Sequence, residues 1–229
     1  MVKASQQLEL RLLYGMYPEV LNHPGDEIEV LKNLAGSYLY KDLLAIRGIR
    51  RPDILEKLLR ALALQLGHEV SYNELAQLLQ IDKNTVSSYI DLLEKTFVIF
   101  TFQSFSRNQR NEIKNGKRIY FHDVGIRNTI IGNFQPLSLR DDQGALWENF
   151  IISERRKKIA YSQLLNKGYF WRTKQQQEVD YVEDAGGKIS GYEIKWNPSA
   201  KVKYPATFTS AYHAHMKTVH TENLRDFVR

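Results

Sequence analysis

A β-hairpin is the feature that most constrains the fold of this 229-residue chain. Two runs of alternating character, 177–183 and 188–196, flank the sequence Asp-Ala-Gly-Gly at 184–187. Because the side chains of a strand alternate between its two faces, such runs around a glycine-rich turn predict two antiparallel strands. The hairpin therefore determines which of its residues share a face.

One pairing of these strands brings two carboxylates together. If Glu183 pairs with Lys188, then Asp180 falls opposite Gly191, and Glu193 lies diagonally across from Asp180. The Cβ atoms of diagonal neighbours are about 7 Å apart or less. Close carboxylates repel each other, so they are usually neutralised by a cation, and Mg²⁺ or Mn²⁺ is the natural candidate because these ions prefer oxygen ligands.

Two further residues favour a metal site on this face. Gly191 leaves space beside Asp180, and Lys195 stands next in line, where its ammonium group can hold or polarise a water molecule. The hairpin therefore predicts a divalent metal site. Alternating Glu and Lys are also common on half-exposed strands, so an ion-pair network is the alternative.

The pattern of Asp180 followed by Glu193, one spacer and Lys195 resembles the PD-(D/E)xK nuclease superfamily, with Val179 in the place of the usual proline. The resemblance implies a restriction-endonuclease-like α/β domain that hydrolyses phosphodiester bonds. It implies that Asp180, Glu193 and the carbonyl group of Ile194 bind Mg²⁺ or Mn²⁺. Lys195 would then orient the attacking water.

A helix predicted over 144–159 precedes the hairpin. In the superfamily such a helix often supplies a further acid, and Glu148 stands at the expected position as an assisting catalytic residue. The alternative is that Glu148 is a surface acid bonded to Arg155 or Arg172.

The remaining elements of this domain follow from local patterns. We expect a strand at 168–173, a helix at 205–216 and a short strand at 218–220. His213 and His215 would point apart on that helix, so we interpret both as surface residues.

The middle of the chain predicts a winged helix-turn-helix. A helix beginning at Pro52 and ending before Gly67 is followed by helices at 71–79 and 84–95, joined by a short turn. Ser71 and Glu74 form a capping-box pattern at the start of the first helix of the motif. Two strands, at 97–105 and 117–122, form the expected wing.

Polar and basic side chains lie on the exposed start of the last helix and along the wing. Such residues suit contacts with base edges and phosphates, so DNA is the expected partner. The expected contacts are Lys83, Asn84, Ser87 and Ser88 on the helix and Arg107, Arg110, Lys114 and Lys117 on the wing, with Arg118 at its flank. The alternative is a protein-contact role, because Asp91 and Glu94 follow on the same helix.

Two helices are predicted over 6–16 and 28–44. Tyr-Gly-Met-Tyr-Pro-Glu-Val at 14–20 and Ser-Tyr-Leu-Tyr-Lys-Asp-Leu-Leu at 37–44 resemble the segment just after the ATP-binding domain in a large family of prokaryotic AAA-superfamily ATPases. These ATPases carry a C-terminal domain of unknown function, and segments 71–76, 118–121 and 123–128 match it as well. The resemblance implies an AAA-type ATP-binding domain as a partner, in cis or in trans. The chain contains no Gly-x-x-x-x-Gly-Lys-Ser/Thr, so no ATPase activity is expected from it.

Composition limits the remaining classes. The absence of cysteine excludes disulfides and thiolate metal sites, and a net charge of +6 favours an anionic partner. The apolar runs are too short to span a bilayer and Met-Val-Lys does not open a signal peptide, so we expect a soluble cytoplasmic protein with no membrane partner. The oligomeric state stays open. The sequence thus predicts an α+β multi-domain protein, with a helical connector at 1–50, a winged helix-turn-helix at 51–132 and a restriction-endonuclease-like domain at 133–229.

Overall fold

The computed structural model describes residues 2–36, 51–106 and 116–228. It confirms an α+β chain with helices and two sheets, divided into two compact units. The first unit contains residues 1–101 and 119–146, and the second contains 102–118 and 147–229. Within the described ranges, no helix has both the length and the apolar character needed to cross a bilayer.

The first unit begins with three helices, α1 (Val2–Tyr14), α2 (Pro18–Asn22) and α3 (Glu27–Leu34). The helix predicted over 28–44 therefore begins as α3, and residues 37–50 lie outside the described residues. Pro18 occupies the first position of α2, where the missing N–H of proline is not needed by the helix.

The unit continues with three further helices and with three short strands that are partly shared with the second unit. These elements are α4 (Pro52–Leu64), β1 (Glu69–Val70), α5 (Tyr72–Leu79), α6 (Lys83–Lys95), β2 (Ile99–Gln103) and β3 (Lys117–Phe121). The three strands form one sheet in the order β1-β3-β2. The boundary between the two units falls inside β2 and β3.

Caps and a tight turn define α5 and α6. Ser71 accepts a hydrogen bond from the Glu74 N–H at 3.3 Å, as the predicted cap requires. Gln80 ends α5 in the left-handed conformation, with φ +54°, and the Asp82 carboxylate accepts a bond from the Thr85 N–H at 2.9 Å to start α6. The two helices are therefore separated by a short, well-specified turn.

Asp123 caps the next helix, α7 (Val124–Ile131), and also bonds to the backbone just after α1. Its Oδ1 accepts a bond from the Gly125 N–H at 2.8 Å, and its Oδ2 accepts one from the Met16 N–H at 2.7 Å. A Cβ atom at Gly15 would lie 2.0 Å from Asp123 Oδ1, and the φ of Gly15 is +78°. Glycine is therefore required at this position.

Asn128 and Arg127 connect α7 to two other helices. The Asn128 amide donates to the carbonyl oxygens of Leu12 and Leu13 at the end of α1, at 3.0 and 2.9 Å. Arg127 Nε donates to the Ala63 carbonyl of α4 at 2.8 Å. The Asp-Val-Gly-Ile-Arg-Asn segment at 123–128 thus satisfies backbone groups that helix ends leave unpaired.

The second unit packs helices around a four-stranded sheet. Its elements are α8 (Gln143–Tyr161, whose first turn belongs to the first unit), β4 (Lys167–Arg172), β5 (Glu178–Ala185), β6 (Lys188–Ile194), α9 (Ala206–Tyr212), β7 (His215–Val219) and α10 (Leu224–Val228). The sheet order is β4-β5-β6-β7, with β7 parallel to β6 and the other pairs antiparallel. A buried apolar cluster includes Phe105, Trp171, Val179, Val182, Ile189 and Phe208.

The hairpin forms as predicted, but its predicted register is wrong. Ala185 pairs with Lys188, and Gly186 and Gly187 alone make the turn, with φ +65° and +93°. Two consecutive residues with positive φ are what a two-residue type I′ hairpin turn requires, and glycine adopts this conformation most easily. Glu183 therefore lies opposite Ser190, and the strands are shifted by two residues from the predicted pairing.

Two further expectations for this unit are wrong. The helix predicted over 205–216 ends at Tyr212, because His213 adopts the left-handed conformation with φ +50°. His215 lies in β7, which begins three residues earlier than the predicted strand, and its side chain is exposed. The expected surface location of His215 holds, although it lies on a strand and not on a helix.

Candidate active site

Asp180 on β5 and Glu193 on β6 are adjacent and almost fully buried. They are 5% and 7% exposed, respectively. Tyr181 pairs with Tyr192, so the next pair in this register is Asp180 and Glu193. The register shift therefore brings the two carboxylates directly across from each other, closer than the predicted diagonal arrangement.

The Lys195 ammonium group bridges the two carboxylates. Its Nζ lies 2.9 Å from Asp180 Oδ2 and 3.0 Å from Glu193 Oε2. The Ile194 N–H also donates to Asp180 Oδ2, at 2.8 Å. Asp180 is thus held by a backbone donor and a charged side chain, while the role predicted for the Ile194 carbonyl stays a prediction.

The electrostatics of the pair reflect its burial. Burial and the neighbouring Asp180 carboxylate raise the pKa of Glu193 to about 7, although Lys195 acts in the opposite direction. Burial alone would lower the pKa of Lys195, but the charges of Asp180 and Glu193 outweigh it and raise that pKa above its usual value. The site therefore favours a proton on Glu193 and keeps the Lys195 ammonium group charged.

Gly191 does not leave the space that the sequence suggests. It pairs with Val182 and not with Asp180. A Cβ atom at Gly191 would lie 2.3 Å from Met216 Sδ and 2.9 Å from Phe208 Cε1. The expectation of open space beside Asp180 is therefore wrong, because the room at Gly191 is filled by side chains of β7 and α9.

Glu148 on α8 contacts Arg118 of β3, and both residues belong to the second unit. Arg118 Nη1 lies 3.5 Å from Glu148 Oε1, and Arg118 Nη2 donates to Glu178 Oε2 at 2.9 Å. The buried guanidinium also lies over the Phe170 ring, 4.8 Å from its centroid. Arg118, expected at the flank of the wing, is therefore enclosed by acids and an aromatic ring.

These acids do not form one large cluster. In residues 2–36, 51–106 and 116–228, no group of three or more His, Asp or Glu side chains is arranged to hold a metal ion. The structure brings Asp180, Glu193 and Lys195 together, whereas Glu148 is held by Arg118. The assisting role of Glu148 stays a prediction.

A second buried ion pair was not predicted from the sequence. Arg155 on α8 donates to both oxygens of Glu183, at 2.8 and 2.7 Å, and to the Phe227 carbonyl at 2.8 Å. Asn166 and the Tyr181 hydroxyl also donate to Glu183. Both carboxylate oxygens of Glu183 thus accept hydrogen bonds from protein groups. Through Arg155, Glu183 connects β5 to α8 and α10, which is a structural role. The only signal in the sequence is that Glu183 lies three positions after Asp180 on the same strand, which places the two side chains on opposite faces of the sheet.

The residues predicted to bind nucleic acid are placed in part. The side chains on α6 are all exposed: Lys83, Asn84, Ser87 and Ser88. Lys117 is partly exposed on β3, and Arg107, Arg110 and Lys114 lie outside the described residues. The four residues on α6 thus form an open polar surface at the start of that helix.

Comparisons with known proteins identify domains and relatives. A relative from Mycobacterium tuberculosis and one from Mycobacterium bovis, each described as an uncharacterized protein, are 28% identical over 162 residues, which cover 69% of this chain and 36% of the relative. An uncharacterized protein of Haemophilus influenzae is 24% identical over 185 residues, covering 77% of this chain and 42% of that protein. The chain thus spans less than half the length of these relatives. No solved structure matches it significantly.

Two domain profiles match the chain. The domain of unknown function DUF4143 matches residues 143–228, which include all of α8 and the hairpin. The domain of unknown function DUF8612 matches residues 5–137, which is more than half of the chain. The chain therefore belongs to the family of proteins that contain the domain of unknown function DUF8612.

Proposed function

We propose that the second unit is a metal-dependent phosphodiesterase of the PD-(D/E)xK type that acts on nucleic acid. One observation carries this proposal: two buried carboxylates, Asp180 and Glu193, lie side by side and share the ammonium group of Lys195. Burial of like charges is costly, so such an arrangement indicates a functional cation site.

The donor atoms fit a hard divalent ion. Asp180 and Glu193 supply carboxylate oxygens, the ligands that Mg²⁺ and Mn²⁺ prefer, and the Ile194 carbonyl is the third proposed ligand. An ion held there would stabilise charge on a phosphate and lower the pKa of bound water. The raised pKa of Glu193 supports this role, because a cation would replace the proton that the pair otherwise retains.

Lys195 is the proposed group that orients the nucleophile. Its N–H donates to the Val219 carbonyl at 2.9 Å, which fixes the backbone, and its side chain is 37% exposed. The ammonium group can therefore reach solvent and substrate while it stays beside both carboxylates. Glu148, now held by Arg118, is the proposed assisting acid.

Residues 51–132 are the proposed DNA-binding part. The order of α4, β1, α5, α6, β2 and β3, with sheet order β1-β3-β2, supports a winged helix-turn-helix with α6 as its recognition helix. Exposed Lys83, Asn84, Ser87 and Ser88 would meet the DNA, with further phosphate contacts from the basic wing.

An AAA-type ATP-binding domain is the proposed partner, in cis or in trans. The resemblance of 14–20 and 37–44 to the region after such a domain supports it. The greater length of the relatives is consistent with additional domains in those proteins. ATP hydrolysis would then be supplied by that partner.

A second candidate is a non-catalytic recognition module with a degenerate nuclease fold. The observation that favours it is that Lys195 already pairs with both carboxylates, so its ammonium group and a proton on Glu193 can compensate their charges without a metal. In this case the unit would bind nucleic acid or protein without hydrolysis.

Titration with Mn²⁺ by isothermal calorimetry separates these candidates. We expect one saturable site in the parent protein and loss of its heat in Asp180→Asn, because the substitution removes one anionic ligand. Asp226→Asn, at an exposed carboxylate of α10, is the matched control and should bind like the parent. Absence of saturable binding in the parent would leave the recognition module as the account.

A further inference from the structure

We propose that Tyr204 is a stacking platform for an unpaired nucleobase beside the carboxylate site, and that the substrate is a single-stranded segment of nucleic acid. This inference rests on the proposed phosphodiesterase function and names the substrate class of the same site. It is carried by the position of Tyr204, the fixed orientation of its ring and the charges of the segment that holds it.

Register and one hydrogen bond place Tyr204 close to the site. Thr218 on β7 is the strand partner of Glu193 on β6. Neighbouring strands are about 4.8 Å apart, and paired residues project from the same side of the sheet. The Tyr204 hydroxyl lies 2.8 Å from Thr218 Oγ1. The tyrosine is therefore connected, through one threonine, to the strand position next to Glu193.

The Tyr204 ring is both exposed and oriented. Tyr204 is 38% exposed, whereas Asp180 and Glu193 are buried. Its hydroxyl is engaged by Thr218, which limits rotation of the side chain. No other aromatic ring of the described residues stacks on Tyr204. An oriented ring without an aromatic partner loses little entropy when a base stacks on it.

The segment around Tyr204 is basic. Lys201 and Lys203 are exposed, and neither has an ion-pair partner in the part of the chain that the structure describes. The side chain of Lys195 is 37% exposed at the carboxylate pair. Aromatic rings combined with lysines that follow a phosphate backbone are the usual means by which proteins bind single strands.

The same features disfavour duplex as the ligand of Tyr204. In a duplex each base is stacked between its neighbours, so a protein ring can stack on it only after unpairing. A single strand offers free base faces at no such cost. Tyr204 should therefore contribute to the binding of single strands and not to that of duplex.

The test measures the affinity of an oligonucleotide containing one 2-aminopurine, in EDTA so that no cleavage occurs. Stacking on Tyr204 should quench the 2-aminopurine, and Tyr204→Ala should abolish the quench and weaken binding about ten-fold or more. Tyr204→Phe retains the ring and should keep most of the affinity and of the quench. Tyr161→Ala, at a tyrosine of the same unit that is 85% exposed, is the matched control and should change neither.

Two results would overturn the inference: single-strand binding of Tyr204→Ala equal to that of the parent, or an equal loss for the duplex of the same sequence. The proposed function is tested separately by cleavage in Mn²⁺. A parent protein that binds single strands through Tyr204 but cleaves nothing would contradict the phosphodiesterase and leave the stacking platform as a binding site.

Discussion

Lys195 Nζ lies 2.9 Å from Asp180 Oδ2, and the same nitrogen lies 3.0 Å from Glu193 Oε2. One ammonium group thus pairs with two buried carboxylates and compensates only one of their two negative charges. The divalent ion proposed for this site would compete with the ammonium group for the same oxygens, and its binding can be compared with and without the ammonium group.

Removal of the ammonium group should therefore not abolish metal binding. In Lys195→Met the two carboxylates repel each other without compensation, and a divalent ion relieves that repulsion. We expect Mn²⁺ to bind this variant at least as tightly as the parent in a calorimetric titration. Loss of Mn²⁺ binding in Lys195→Met would contradict competition between the two cations.

The stability of the metal-free protein should depend on pH through Glu193. Its pKa rises from 4.5 to about 7 on folding. Between these values the folded state binds more protons than the unfolded state, so the free energy of unfolding falls as pH rises. Glu193→Gln cannot ionise and should lack this fall, gaining stability relative to the parent from pH 5 to pH 8. Denaturant titrations in EDTA at several pH values measure the free energy of unfolding of both proteins. If it changes with pH in the same way in both, the raised pKa of Glu193 is contradicted.

The Arg155–Glu183 pair should be important for stability and not for catalysis. Its side chains are 12% and 5% exposed, so Glu183→Ala leaves a buried charge and should cost about 3–5 kcal/mol in the free energy of unfolding. Glu154→Ala breaks the more exposed Lys157–Glu154 pair on the same helix and should cost about 1 kcal/mol or less. Equal losses in the free energy of unfolding in the two variants would contradict a stabilising role for the buried Arg155–Glu183 pair.

The proposed basic wing should contribute to DNA affinity without sequence preference. Reversal of Arg110 and Lys114 to Glu removes two predicted phosphate contacts, which should weaken binding to all sequences alike and reduce the salt dependence of log K by about two. Lys95→Glu, at an exposed lysine in the last turn of α6, is the control. No binding by the parent at low salt, or no effect of the double reversal, would assign the proposed winged helix to protein contact.

Local patterns in the sequence were sufficient to predict the hairpin, the capped helices α5 and α6, and the residue types at the site. The hairpin register was not predicted correctly, because Asp184 was assigned to the turn and the Gly186-Gly187 pair forms it alone. The end of α9 was also placed wrongly, since its sequence continues with residues that suit either a helix or a strand.

Contacts between distant residues were beyond local patterns. Arg118 and Glu178 are 60 positions apart, and nothing in either segment indicates that they meet. Phe105 donates its N–H to the Phe170 carbonyl, so the segment just after β2 lies along β4 at the edge of the second sheet. Such assignments depend on the tertiary packing of both segments.

Cleavage assays test the central claim most directly. The parent, Lys195→Ala and Asp180→Ala should be compared on single-stranded, duplex and branched DNA and on RNA, in Mg²⁺ and in Mn²⁺, with and without an AAA-type partner. Hydrolysis requires a positioned nucleophile in addition to bound metal, so Lys195→Ala should retain metal and nucleic-acid affinity while it loses cleavage, and Asp180→Ala should lose metal and cleavage together. Absence of cleavage by the parent in every condition, or cleavage by Lys195→Ala at the parent's rate, would contradict the account.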